Sequence, residues 1–264
     1  MAPDTTQDTV LPPPAPTAVR DKIRIRFRKT GALRLLSHHD LMRTFERMLR
    51  RAALPVCRTQ GFNPRPRLVF ALSLPLGVVG CEEVAELELE PGLSLEEIEE
   101  RLGRQCPPGL RVLNVRRVDP RTTAQVRALC YRVVVPAGRV EATRGRIAEV
   151  LAAAECWVER TRPPVRRLDL RPFVRDLQLI EGRPSVREGE APAEPGVPGS
   201  AGASPSRTEA LVYLEMDLWL TPQGTARPDE LLGVLGLPDL VAAGAVLERA
   251  RLELADETPA GATP

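Results

Sequence analysis

Cysteine, histidine, lysine and aromatic residues are all scarce in this chain. Its 264 residues include five Cys and two His, aromatics make up 3%, and the only lysines among 37 basic residues are Lys22 and Lys29. The cysteines (Cys57, Cys81, Cys106, Cys130 and Cys156) lie far apart, and no two form a CxxC pair. That spacing supports neither a disulfide framework nor a zinc ribbon, and it lacks the closely spaced thiolates that hold an iron–sulfur cluster. Reduced thiols in a cytoplasmic protein are expected. No apolar run reaches the roughly 18 residues of a membrane-spanning helix, so no membrane association is expected. Residues 1–19 lack a basic start followed by an apolar stretch, so no secretory leader is expected. With few aromatics, the core must be aliphatic. Hydrophobic residues reach 43% and charged residues 27%, a globular balance. At about 100–200 residues per domain, the length suits one large domain or two small ones.

Charge is unevenly placed. Between Arg20 and Arg67 stand 14 Lys and Arg against three acids, whereas Glu82–Glu100 carries nine Glu and no basic residue. The net charge of +2 hides this asymmetry. Basic and acidic faces so close in sequence can orient a molecule toward a polyanion.

The pattern predicts a tail over residues 1–20, rich in Pro and without periodicity. In Lys22–Lys29, Ile23, Ile25 and Phe27 alternate with Lys22, Arg24, Arg26 and Arg28, which predicts a half-buried strand with a basic solvent face. A helix is predicted from Ser37 to about Ala53, with Ser37 as N-cap and Asp40 three residues on. Strands are expected at Leu68–Leu74 and Glu82–Glu90, a second capped helix at Ser94–Arg104 and a strand at Leu110–Val118. This β-α-β-β-α-β order is that of a ferredoxin-like unit, placed at residues 22–119. A looser second copy is placed at 129–255. Its strands are expected at Tyr131–Pro136, Glu155–Arg160, Arg167–Leu170, Phe173–Ile180, Ala210–Leu220 and Val246–Leu254, and its helices at Arg139–Ala154 and Pro228–Leu235. The expected fold class is therefore α+β, with two tandem ferredoxin-like units. Residues 182–208, rich in Gly, Pro, Ala and Glu, read as a disordered insertion in the second unit, and 256–264 as a terminal tail.

The two histidines are adjacent, His38 and His39, at the start of the first helix. A neutral imidazole there suits acid–base work, with His38 and Asp40 as candidates, or a purely structural place in which the His hydrogen-bonds a loop and packs at the helix end, while too few partners exist for a metal. No metal and no cofactor are expected. His39, Arg43, Arg47 and Arg50 fall on one helical stripe, a pattern that fits a polyanion backbone or an ordinary solvated face. In the loop that follows, Gly61 permits unusual backbone angles, Phe62 can stack a base, Gln60 and Asn63 can read hydrogen-bonding edges, and Arg65 and Arg67 can hold phosphates. A rigid turn whose Phe plugs the core is the alternative. The candidate nucleic-acid surface comprises Arg24, Arg26, Arg43, Arg47, Arg50, Gln60, Phe62, Asn63, Arg65 and Arg67.

The segments KIRIRFRKTGALRLLSHHDLMRTFERMLRRAALPV and TQGFNPRPRLVFALSLPLGV, followed by an acidic strand, resemble the radical-SAM-linked protein family. The resemblance covers about residues 22–220 and is specific at Ser37-His38-x-Asp40-Leu41 and at Gly61-Phe62-Asn63-Pro64. The family usually has an apolar residue where His39 stands and often His where Arg65 stands, so the resemblance favours His38 over His39. It also singles out Ser37, Gly61, Pro64 and Glu83. It implies a radical SAM protein as partner and, through some gene neighbourhoods, an E/G-type ribonuclease, but no reaction. Three functions follow as expectations: an RNA-binding or RNA-processing accessory factor, a substrate-presenting partner of a radical SAM enzyme, or an acid–base enzyme using His38.

Overall fold

A computed structural model describes residues 20–160, 166–182 and 211–257. The expected tail over 1–20, except Arg20, and the expected insertion at 182–208, except Gly182, lie outside the described residues. The first half begins with β1 (Asp21–Lys29) and α1 (His38–Arg51), followed by β2 (Leu68–Phe70), β3 (Val79–Leu89), α2 (Leu95–Gly103) and β4 (Leu110–Val118). The second half contains β5 (Val126–Val135), α3 (Val140–Ala152), β6 (Trp157–Arg160), β7 (Arg166–Asp169), β8 (Val174–Gly182), β9 (Leu211–Trp219), α4 (Pro228–Val234) and β10 (Glu248–Leu254). The architecture is α+β: an eight-stranded mixed sheet, a separate β6–β7 pair and few helices. No described helix is long and apolar enough to cross a membrane.

The sheet runs β4-β1-β3-β10-β5-β9-β8, with β2 also paired to β3. Most pairings are antiparallel. The parallel contact between β10 and β3, at Glu248↔Val79 and Arg249↔Gly80, joins the two halves. Two apolar clusters fill the interior. Ile23, Ile25 and Phe27 of β1 meet Leu41, Phe45, Met48 and Leu49 of α1 in the first. Leu129, Val133, Leu214, Met216 and Leu218 of β5 and β9 meet Ile147 and Val150 of α3 and Leu231 of α4 in the second. β3 serves both, with Ala85, Leu87 and Leu89 in the first and Val84 in the second.

α1 forms where local chemistry directs it. Ser37 Oγ accepts the Asp40 N–H at 3.2 Å and donates to Asp40 Oδ2 at 2.7 Å, capping the first turn. Some boundaries differ from expectation. β2 stops at Phe70, and β5 starts at Val126, earlier than its sequence announces, because β9 and β10 pair it from both sides. Of the terminal tail expected over 256–264, Asp256 and Glu257 accept hydrogen bonds from Arg24, and 258–264 lie outside the described residues.

Candidate functional site

The Thr59–Arg67 loop is a tight hairpin laid beside α1. Its base is closed by Arg67 N–H to Cys57 O at 2.8 Å, Thr59 N–H to Arg65 O at 2.8 Å, and Arg65 N–H to Thr59 Oγ1 at 3.0 Å. Gly61 has φ of +130°, a value that suits glycine, and turns the tip. Gln60, Phe62, Asn63 and Pro64 are exposed there, and Phe62, at 105% relative exposure, does not plug the core.

Hairpin and helix enclose a groove of about 600 Å³, lined by His39, Arg43 and Arg50 from α1 and by Arg58 and Arg65 from the loop, among others. Glu46 also lines it, and Asp40 lies 3.6 Å from Arg43. Among the described residues no ion pair joins Arg50, Arg58 or Arg65 to a carboxylate. The arrangement presents exposed guanidiniums, each a fork of donors suited to phosphate oxygens. Arg58, which the sequence reading missed, is drawn in by its bridge to Pro66, and its Nη1 donates to Pro64 O at 3.4 Å. Arg47 stands at the edge of the expected stripe: it donates to Thr44 Oγ1 and lines a different groove on the other flank of α1. Arg67 is half-buried, with Nη1 3.5 Å from Glu88 and Nε donating to Arg58 O.

The basic solvent face expected of β1 is overturned. Arg24 is 1% exposed and donates to Glu86 Oε1 at 3.1 and 2.9 Å, to Asp256 at 2.9 and 2.8 Å and to Glu257 at 3.1 Å. Arg26 is bound by Glu257 and donates to Leu252 O, so the end of β10 and the turn after it cover this face. Lys22 is paired with Glu86 at 2.9 Å. Alternation identified the face opposite α1, but the second half of the chain covers that face. Arg24 and Arg26 therefore stand apart from the α1–loop groove.

The remaining motif positions meet at the join between the halves. Glu83 is 2% exposed, and Arg249 Nε donates to its Oε1 at 2.8 Å while an Nη reaches its other oxygen. Arg249 also donates to Ser73 O at 3.1 Å. Lys29, 1% exposed, points Nζ toward Leu36 O at 3.3 Å and Arg34 O at 3.5 Å. Burial pushes its pKa down and the nearby Arg249 adds to that, while Glu83 opposes it. His38 touches the rim of this cluster: its Nδ1 is 3.4 Å from Ser73 Oγ, and its ring meets Phe70 edge-on at 5.5 Å. Asp40 is engaged by Ser37 and Arg43, which makes it a capping residue. All five cysteines are free, and among the described residues no group of His, Cys, Asp and Glu is arranged to hold a metal.

A bacterial family described as "Uncharacterized protein conserved in bacteria (DUF2344)" matches residues 22–195. No curated protein matches the chain. Among solved structures, one titled "Crystal Structure of an Unknown Protein from Galdieria sulphuraria" is similar at 12% identity, over 90% of this chain and 99% of that one, with a TM-score of 0.25. A likeness at that score bears on neither fold nor function, and neither description names a ligand or an activity.

Proposed function

The chain belongs to this uncharacterized bacterial family, DUF2344, and from its geometry we propose that it binds RNA as an accessory factor in RNA processing or modification. The observation that carries the reading is the groove where Arg43, Arg50, Arg58 and Arg65 converge, lined in part by the hairpin that carries the fully exposed Phe62. Most arginines on the sheet are neutralised by carboxylates, whereas among the described residues Arg50, Arg58 and Arg65 have no carboxylate partner. Guanidiniums left free along a groove track a phosphate backbone, and an exposed aromatic at its edge offers a stacking face for an unpaired base.

The strand order supports two tandem ferredoxin-like units. Within each half the strands of the large sheet, numbered in chain order with the separate β6–β7 pair left aside, lie fourth-first-third-second: β4-β1-β3-β2, then β10-β5-β9-β8. The resemblance to radical-SAM-linked proteins extends the proposal to a partner. The RNA is held for a radical SAM protein or an E/G-type ribonuclease, in the cytoplasm.

Single-stranded RNA binding measured by fluorescence anisotropy across a salt series tests the reading. Wild type should lose affinity steeply with salt. Arg43→Ala with Arg50→Ala should weaken every sequence alike and flatten the log–log slope by about 1.4, the value for two lost phosphate contacts on a single strand. Binding that is absent, or indifferent to salt and to both substitutions, would overturn it.

A second reading, acid–base chemistry at His38, is favoured by the His38–Ser73 contact, because Ser73 is itself tied to the buried Arg249–Glu83 pair. It predicts that His38→Gln leaves RNA affinity intact and abolishes any turnover detected with the partner enzyme present. Undiminished turnover would end it.

A further inference from the structure

The basic groove between α1 and the hairpin has a counterpart on the other flank of the same helix. There Arg47 and Arg51 of α1 face Arg104 and Gln105, which follow α2, across a groove of about 480 Å³. Arg104 is paired with Glu100 on the surface, at 2.5 Å, and among the described residues no ion pair joins Arg47 or Arg51 to a carboxylate. At 3.6 residues per turn, Arg43, Arg47 and Arg50 share the exposed ridge of α1 between the two grooves. A band of guanidiniums therefore runs from Arg58 and Arg65, over Arg50, Arg43 and Arg47, to Arg51 and Arg104.

We propose that this second groove is a further binding site for the same phosphodiester strand, which crosses α1 from the hairpin side to the α2 side. The inference rests on the RNA reading above and adds Arg47, Arg51, Arg104 and Gln105 to its site. A duplex fits less well. The two grooves lie on opposite flanks of one helix, so the ligand must bend sharply over the ridge, which a single strand does readily and a stiff duplex does not. Crossing a helix about 10–12 Å wide uses nucleotides of the strand beyond those seated in either groove. An oligonucleotide of about four nucleotides is thus held by one groove alone, and one of about twelve reaches both.

The test compares RNA of these two lengths on wild type, on Arg51→Ala/Arg104→Ala and on Arg50→Ala/Arg65→Ala. All four positions are exposed, and circular dichroism confirms that each variant is folded. Arg51→Ala/Arg104→Ala should leave the short RNA bound within about twofold, weaken the long RNA about tenfold, and reduce its salt slope by about 1.4. Arg50→Ala/Arg65→Ala should weaken both lengths. If the long RNA binds Arg51→Ala/Arg104→Ala as tightly as wild type while Arg50→Ala/Arg65→Ala loses both, the strand does not cross the helix and the second groove is not a site. If wild type binds neither length with salt dependence, the RNA reading itself falls.

Discussion

Arg249 clasps Glu83 with two hydrogen bonds beside the parallel β10–β3 contact that joins the halves of the sheet. Both side chains are almost wholly buried, at 1% and 2% exposure, so neither charge has water to fall back on. Removing one partner strands the other. Glu83→Gln or Arg249→Met alone should therefore cost about 3–5 kcal/mol in urea unfolding. Glu83→Leu with Arg249→Met should cost much less than the two single losses summed, because neither member of the pair is left facing an empty place and the buried Lys29 keeps its bonds to the Leu36 and Arg34 carbonyls. Additive losses would show that the pair is not coupled.

Gly80 makes room for that clasp. A Cβ on Gly80 would lie 2.5 Å from Glu83 Cγ and 2.9 Å from Oε1. The register between β1 and β3 shifts at this point, from Phe27↔Glu83 to Lys29↔Gly80, so the Glu83 side chain folds back over the glycine. Gly80→Ala should destabilise by about 1–3 kcal/mol through overpacking. In a Glu83→Ala background the penalty should shrink to that of an ordinary strand substitution. Equal penalties in both backgrounds would place the strain elsewhere.

The carboxylates that neutralise Arg24 should make the fold acid-sensitive. The bond from Arg24 holds Asp256 below the usual aspartate range. Burial alone would raise Glu86, but donation from Lys22, Arg24 and the Ala124 N–H outweighs it, so Glu86 also titrates low. An acid whose folded value is depressed stabilises the protein above its unfolded value, near 4, and loses that contribution as pH falls through the folded value. Thermal stability should therefore be level from neutral pH to about 5 and fall steadily below about 4.5. Asp256→Asn with Glu257→Gln should cost about 1–2 kcal/mol at pH 7, discounted for the partial exposure of Asp256, and should blunt the acid loss. An unchanged pH profile in that variant would show that the turn after β10 does not tie the halves together.

α1 was legible because every signal for it is local: the Ser37 cap, the apolar spacing of Leu41, Phe45, Met48 and Leu49, and the block at Pro55. β1 was legible as a strand, but not in what covers it. Period two separates Arg24 from Ile23 and Ile25, yet nothing nearby in sequence reveals that Asp256, 232 residues downstream, closes over the guanidinium. The same distance hid Arg249 as the partner of Glu83, which stood out through resemblance alone. The α1–loop groove was legible in part. Helical spacing grouped His39, Arg43 and Arg50, while Arg47 stood near the edge of that stripe and turned to the other flank, and Arg58 joined only through the closure of the hairpin.

Phe62 separates the contributions of the hairpin tip from those of the fold. It is fully exposed and belongs to neither apolar cluster, so Phe62→Ala should leave unfolding within about 0.5 kcal/mol of wild type. A large apolar ring held in water at a glycine turn gives the fold nothing, and its value lies in what it meets. If it stacks an unpaired base, the substitution should remove about 1–3 kcal/mol of RNA affinity while leaving the salt slope as in wild type, because stacking releases no counterions. Phe62→Trp should restore or raise the affinity, and Phe62→Leu, equally apolar but not planar, should not. Restoration by Leu would show that the tip supplies apolar contact rather than stacking, which points to a protein surface as the partner of this loop. Anisotropy on a single-stranded RNA, at two salt concentrations for each variant, reads all of these outcomes.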